Sequence, residues 1–375
     1  MRDSDFEACR LTVRLGAIAE NYRTFQRLAG PAAVAGMVKA DAYGLGAERV
    51  APALARAGCD TFFVARLEEA VVLRRALGSA FRIFVLDGAP PDAVPALIAH
   101  HLTPVLNSLA EIAGWNAAAS ASRRSLDAAI HIDTGLNRLG LPGEELALLA
   151  ADWKTRLKNL NLVLLMSHLA CGDEIGNKMN DEQLARFRTA LAMLPPAPAS
   201  LAASGGAFLG KPYRFDLVRP GIGMYGGASQ EGENPLKTVA VVTARVLQLR
   251  RIDKGESVGY AATFRAKRPT MIATVALGYA GGIPRSLTNK GMAFVAGGRA
   301  GFAGRVSMDM TTLDVSDLAA VKVGDTVEFL GDHMMLEEVA ALAGTNAYEI
   351  LTGLRIPRHY VEESVGESRS GKISA

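Results

Sequence analysis

Up to Met224 the chain alternates short, unbroken apolar runs with longer stretches whose apolar positions recur every three to four residues. The runs at 34–38, 61–65, 81–86, 103–106, 126–132 and 160–166 have the length and composition of buried strands. The stretches at 47–56, 67–77, 93–100, 108–119, 144–150 and 181–194 carry the helical period. Short apolar runs at 198–203 and 215–218 bring the count to about eight strand–helix units. Strands that alternate with helices of this length call for a parallel sheet, and eight units predict a (β/α)8 barrel.

The pattern changes after Gly226. Residues 228–235 are polar and contain glycine, as a linker does. Beyond them come strand-like runs at 238–249, 271–276, 291–295, 310–315 and 326–330, punctuated by Gly255, Gly278, Gly297, Gly298 and Gly324. A helical pair at 336–343 and 347–351 interrupts them. The expected organisation is an α/β chain: a barrel over 1–235 and a mostly β second domain over 236–375. The strand-like residues at about 10–15 are candidates to pair with that second domain, and the polar residues from 362 onward read as frayed.

Composition narrows the function. A chain of 375 residues can bury one large core and one smaller one. With 49% hydrophobic and 21% charged residues it has a soluble, globular balance. A net charge of +3 with no basic run speaks against nucleic acid, and no apolar segment has the length of a membrane span. Met1–Arg10 carries Asp3, Asp5 and Glu7 without the apolar stretch of a secretion signal. Cys9, Cys59 and Cys171 are scattered, with neither metal-ligand spacing nor a disulfide framework. The expectation is a cytoplasmic protein without a metal, a membrane partner or a nucleic-acid partner.

The candidate chemistry sits where apolar runs stop. The first run ends on a lysine, in Val34-Ala35-Gly36-Met37-Val38-Lys39-Ala40-Asp41-Ala42-Tyr43-Gly44. A lysine at the C-terminal end of a barrel strand is poorly hydrated, so its amine can be neutral enough to condense with a carbonyl. The residues alone leave a second reading open, in which Lys39 snorkels to solvent. Another run ends in His131-Ile132-Asp133-Thr134-Gly135-Leu136-Asn137-Arg138-Leu139-Gly140, where Arg138 can offer a fork of donors to an anion. His168 follows the run at 160–166. The glycine-rich loops Ala203-Ser204-Gly205-Gly206 and Arg219-Pro220-Gly221-Ile222-Gly223-Met224-Tyr225-Gly226 follow the last two strands, where barrels build phosphate sites.

These segments, in this order, resemble the alanine racemase family. The family pattern Val-Lys-Ala-(Asn/Asp)-Ala-Tyr-Gly matches the segment around Lys39. The pattern Asp-(Thr/Ser)-Gly-(Met/Leu)-(Asn/Gly)-Arg-Leu-Gly matches the segment around Arg138. In the second half, Ser257-Val258-Gly259-Tyr260-Ala261-Ala262-Thr263-Phe264 resembles the run around the family's tyrosine base, and Gly304-Arg305-Val306-Ser307-Met308-Asp309-Met310 resembles Gly-Arg-Val-(Cys/Ser)-Met-Asp. The resemblance spans Leu11 to about Tyr360. It implies a homodimer with shared active sites that interconverts L- and D-alanine by a two-base mechanism on a pyridoxal 5'-phosphate aldimine and supplies D-alanine for peptidoglycan.

Residue by residue, the resemblance makes Lys39 the cofactor lysine and one base, and Tyr260 the other base. Lys39, Tyr43, Arg138, His168, Ser204, Arg219, Gly221 and Ile222 hold the cofactor. Arg219 faces the pyridine nitrogen, and Arg138 and the Met308 backbone N–H take the substrate carboxylate. Tyr279, Arg285 and Arg305 line the access corridor. The chain departs from the family at His131, where some members carry a carbamylated lysine that braces the arginine. It departs also at Ala203 for asparagine, at Gly281 for aspartate, and at Leu354 for the tyrosine before Arg355-Ile356-Pro357-Arg358. Two other readings share part of this pattern. One is a racemase of broader amino-acid specificity. The other is a non-catalytic pyridoxal-phosphate carrier, which needs the barrel and the lysine but neither Tyr260 nor the segment from Thr238 onward.

Overall fold

The apolar runs of the first half become eight short parallel strands in a ring. They are 33–37 (interrupted at Ala35), Thr61–Val64, Arg82–Val85, Thr103–Leu106, Leu126–His131, Leu160–Met166, Ala199–Ser200 and Leu217–Val218. The computed structural model describes residues 7–230, 232 and 234–362. Neighbouring strands pair from Gly36–Met37 round to Ala199–Ser200, and Leu217–Val218 pairs with Ala33–Val34. Backbone bonds from Asp216 N to Ala199 O (3.0 Å) and from Arg219 N to Ala202 O (2.9 Å) join the last two strands. Closure leaves the ring without an unpaired edge. The strands bury large side chains such as Phe62, Phe63, Phe84 and Ile130 on their two faces, so the strand ends, not a pore, carry the chemistry.

Helices Ala47–Arg56, Leu67–Leu77, Val94–Ala99, Leu109–Ser122, Gly143–Ala151 and Lys178–Met193 cover the ring at the places their periodicity predicts. One further helix, Leu15–Ala29, is not among the periodic stretches read from the sequence. It buries Leu15, Ile18, Tyr22 and Phe25 along one face. It packs beside the short turn Ile222–Tyr225, where a helix after the eighth strand would lie. Asn21 on this helix is fully buried. Its Nδ2 donates to Met224 O and Lys237 O, and its Oδ1 accepts from Lys237 N, so one side chain pins the segment between the two domains.

The second domain is an eight-stranded sheet. In spatial order it runs Thr270–Val275, Thr311–Asp314, Gly298–Phe302, Met292–Val295, Thr326–Leu330, Ala240–Ile252, Cys9–Arg14 and Arg358–Val361. The long strand Ala240–Ile252 pairs with Thr326–Leu330 and Cys9–Arg14 along its first half and with Thr270–Val275 along its second. Strand Gly298–Phe302 was not expected from the sequence; Gly297, Gly298 and Gly301 dilute its apolar signal. Among the described residues no helix is long and apolar enough to cross a membrane, and no cluster of His, Cys, Asp or Glu could hold a metal ion.

Candidate active site

The first barrel strand ends at a break in the ladder. Val38 N donates to Phe63 O (2.9 Å), the last sheet bond before Lys39. The chain then turns the wrong way for L-residues: Ala40, Asp41, Ala42 and Tyr43 all have φ between 52° and 57°. Each such residue costs roughly 1–2 kcal/mol, so the four together cost about 4–8 kcal/mol. Hydrogen bonds hold the turn. Ala42 N donates to Val38 O, Gly44 N to Ala40 O and Gly46 N to Asp41 O. The Asp41 carboxylate accepts from Ala47 N (2.7 Å) and from Arg358 Nη1 (2.6 Å). Gly44 and Gly46 have no room for a side chain: an added Cβ would lie 2.6 Å from Leu351 O at the first and against the Tyr360 hydroxyl at the second.

This turn aims Lys39 into a cavity of about 260 Å³ at the C-terminal ends of the barrel strands. The lining includes Lys39, His131, Arg138, His168 and Arg219, with Asp87 as its carboxylate. Three potential cations against one carboxylate make the cavity receptive to anions. Burial, and then the nearby Arg138 charge, hold the Lys39 ammonium below its ordinary pKa, against the pull of Glu69 and Asp87. Arg219 is 1% exposed; its guanidinium donates to the Ser200 hydroxyl and, at 2.6 Å, to Ser167 O, and burial pushes its pKa down to about 9. Burial, then the charge of Arg219, takes His168 down to about 3 and His131 down to about 4, so both imidazoles are neutral near pH 7.

His131 has a defined tautomer. Its Nδ1 lies 2.9 Å from Asn107 Oδ1. The Asn107 amide donates its hydrogens to Leu86 O and Val105 O, so its oxygen must accept and His131 Nδ1 must carry the proton. Arg138 sits on a loop shaped by Asp133, whose Oδ1 accepts from Gly135 N, Leu136 N and Asn137 N. No hydrogen bond or ion pair holds the Arg138 guanidinium among the described residues.

Ser204, Tyr43, Gly221 and Ile222 form a second, buried group next to this cavity. The Ser204 hydroxyl accepts from Gly221 N (2.8 Å) and Gly223 N (3.1 Å), gathering a hydroxyl and two backbone donors in one place. The Tyr43 hydroxyl lies against Gly221, where an added Cβ would sit 2.1 Å from it. Tyr43 is flanked by the rings of Tyr225 (4.8 Å) and Tyr348 (5.9 Å). Leu354 is 6% exposed and does not line the cavity; Tyr348, on the preceding helix Ala347–Gly353, is the tyrosine that reaches Tyr43.

The second-domain candidates gather elsewhere. Tyr260, on the short turn Tyr260–Ala262, is 71% exposed. Its neighbour Gly259 approaches Arg305, while Tyr279 N and Ala280 N donate to Ser307 O and Met308 O. Arg285 is exposed on the turn that follows. The Met308 N–H donates to nothing among the described residues. None of Tyr260, Tyr279, Arg285, Arg305 or Met308 lines the Lys39 cavity of the same chain. One fold thus presents two separate groups: the cavity lined by Lys39, and an exposed cluster around Tyr260 that does not line it.

Sequence reasoning missed Asn107, Ser200 and Glu69. Only Glu69 had a local signal: an acid three residues after Arg66 at a helix start, the spacing of a capping residue. Asn107 and Ser200 depend on strand neighbours far away in sequence.

Residues 13–229 match the model of the alanine racemase N-terminal domain, and residues 239–360 match that of the alanine racemase C-terminal domain. This chain belongs to the alanine racemase family. It is 47% identical over 357 residues to a protein of Agrobacterium fabrum named "Alanine racemase, catabolic", covering 94% of this chain and 92% of that one. It is 45% identical over 369 residues to the alanine racemase of Brucella abortus, covering 94% and 93%. The crystal structure of the alanine racemase of Bartonella henselae, with covalently bound pyridoxal phosphate, superposes with a TM-score of 0.92 at 40% identity, covering 95% of this chain and all of that one.

Proposed function

We propose that this chain racemises alanine with one base on each face of the Cα carbon, Lys39 from one copy and Tyr260 from a second, using pyridoxal 5'-phosphate. The observation that carries the reading is the separation of these two groups, which we read as half-sites. Lys39 stands in a cation-lined cavity that no tyrosine of the same chain lines, and Tyr260 stands 71% exposed on the other domain. A single fixed base tends to return the proton to the face it came from, so inversion calls for a second donor opposite the first. A two-fold dimer supplies it by setting the Tyr260 cluster of one copy over the Lys39 cavity of the other.

The residues present fit the cofactor. Burial favours the neutral Lys39 amine, the form that attacks a carbonyl. Ser204, Gly221, Ile222 and Tyr43 offer hydroxyls and backbone donors suited to a phosphate, and Gly221 lacks the Cβ that would fill the space beside Tyr43. When bound, the cofactor supplies a conjugated system that stabilises negative charge at Cα. The chain's own groups do the rest. Arg219 has no acceptor atom and cannot accept a hydrogen bond from a protonated ring nitrogen, so the nitrogen facing it would stay unprotonated and the electron sink would be tempered. Arg138 and the Met308 N–H hold the substrate carboxylate. His168 is neutral and serves in packing and hydrogen bonding, not proton transfer. The Lys39 amine exchanges a proton with the D enantiomer, and the Tyr260 hydroxyl with the L enantiomer. Tyr279, Arg285 and Arg305 form the access corridor.

We further infer a cytoplasmic homodimer whose product serves peptidoglycan, with barrel and second domain dividing near residue 235. The test is exchange of the Cα proton for deuterium, followed by NMR across a panel of amino acids. A signal confined to alanine supports the reading. Equal signals for larger side chains point to a broader racemase, and no exchange with any amino acid points to a cofactor carrier and overturns the reading.

A further inference from the structure

Lys39 is bracketed by two backbone anchors of different kinds. On its N-terminal side Val38 N is tied to the sheet through Phe63 O at 2.9 Å. On its C-terminal side the first amide, Ala40 N, leaves the sheet and donates to Glu69 Oε1 at 2.6 Å. The other oxygen of the same carboxylate accepts from Ala65 N (2.9 Å) and Arg66 N (3.2 Å). Ala65 directly follows the second barrel strand and lines the Lys39 cavity. A single carboxylate therefore ties the ends of the first two strands together beside the reactive lysine. From Ala40 through Tyr43 the backbone is left-handed, a course it does not follow without outside support.

We propose that Glu69 is a positioning residue for Lys39: its carboxylate fixes the backbone on the far side of the lysine, so that the amine meets the face of Cα it serves. The inference rests on the two-base reading above. Loosening Ala40 lets the Lys39 backbone drift while Tyr260, carried on the other domain, stays in place. Only proton transfers through Lys39 then slow. In the D-to-L direction Lys39 removes the proton, so that step limits turnover more. In the L-to-D direction Lys39 delivers the proton, so removal by Tyr260 limits turnover less.

The experiment uses Glu69→Gln, whose amide group cannot accept on both sides at once. Turnover of the holoenzyme is expected to fall roughly tenfold to a hundredfold. The primary deuterium isotope effect should rise with Cα-deuterated D-alanine and shrink with Cα-deuterated L-alanine. A loss of folded enzyme would lower both rates and leave both isotope effects unchanged, and that result overturns the proposal. Glu68→Gln, one residue away on the same helix, should leave rates and isotope effects as they are; an effect equal to that of Glu69→Gln also overturns it. If Glu69→Gln does not fold, or if the unaltered protein does not racemise alanine, amide hydrogen exchange of the unaltered holoenzyme decides. Protection of the Ala40 amide well beyond that of an open loop supports the clamp, and exchange at the open-loop rate overturns it. A protein that does not racemise alanine defeats the functional reading; one that does, with unaltered isotope effects in the variant, defeats only this one.

Discussion

Mixing two dead variants tests the half-site arrangement directly. Lys39→Ala removes the lysine from the cavity, and Tyr260→Phe removes one hydroxyl from an exposed ring. The second change should alter the stability of each folded chain by no more than about 0.5 kcal/mol, because Tyr260 is 71% exposed in the single chain. Each homodimer has two damaged sites and should be nearly inactive. In a mixed dimer, one site joins the altered position 39 of the first variant to the altered position 260 of the second and is dead. The other joins Lys39 of the second variant to Tyr260 of the first and is intact. Random pairing puts about half of the dimers in the mixed form, each with half of its sites working, so roughly a quarter of the unaltered activity should return. The two variants, carrying different tags, are unfolded together, refolded, and assayed for D-alanine formation, with tag capture measuring how many mixed dimers formed. A mixture rich in mixed dimers but still inactive would show that the two residues do not meet across an interface.

Three further outcomes follow from the geometry. Lys39→Ala should abolish the visible absorbance of the lysine-bound cofactor, and a band that survives dialysis would place the linkage on another amine. Gly221→Ala sets a methyl group 2.1 Å from the Tyr43 hydroxyl, a clash worth about 1–3 kcal/mol, so titration of the apoprotein with pyridoxal phosphate should show affinity weakened roughly tenfold or more; an unchanged Kd would separate this loop from the phosphate. Burial holds His131 at about 4 in the fold, below its ordinary 6.5, so it stabilises the fold above pH 6.5 and loses that contribution as pH falls toward 4, by up to about 3 kcal/mol. Urea unfolding of the apoprotein at several pH values should therefore show its stability advantage over His131→Gln shrinking on acidification, and a constant advantage would mean that His131 is not kept neutral.

The parts of this fold legible in the sequence are those that carry their own periodicity. Strand Leu160–Met166 and helices Ala47–Arg56 and Leu67–Leu77 fall on their expected bounds, because a buried strand and an amphipathic helix are each specified by the side chains within them. Helix Leu15–Ala29 has a clear apolar face but stands ahead of the first strand–helix unit, outside the alternation from which the barrel was read. The site divides in the same way. Lys39, His168 and Arg219 stand just past strand ends, Arg138 stands on the loop after one, and all four line one cavity. Their partners Asn107 and Ser200 are ordinary polar residues whose value lies in which strand runs alongside. The left-handed course of residues 40–43 was hidden too, since only Gly44 hints at it and four L-residues in that region run against their own preferences.

The strand Cys9–Arg14 lies between Ala240–Ile252 and Arg358–Val361, although the whole barrel separates it from both in sequence. On a ribosome, which releases the chain from its N-terminus, this strand emerges before the barrel and must wait for residues more than two hundred positions later before it finds a partner. Arg358–Val361 depends on it in turn, for it pairs with no other strand among the described residues. The barrel can thus form during synthesis, while the second domain can close its sheet only after Arg358–Val361 has been made. A fragment that begins after the linker would lack an inner strand of its sheet, and gene-splitting or fusion designs for this protein should carry the first fifteen or so residues along with the C-terminal half.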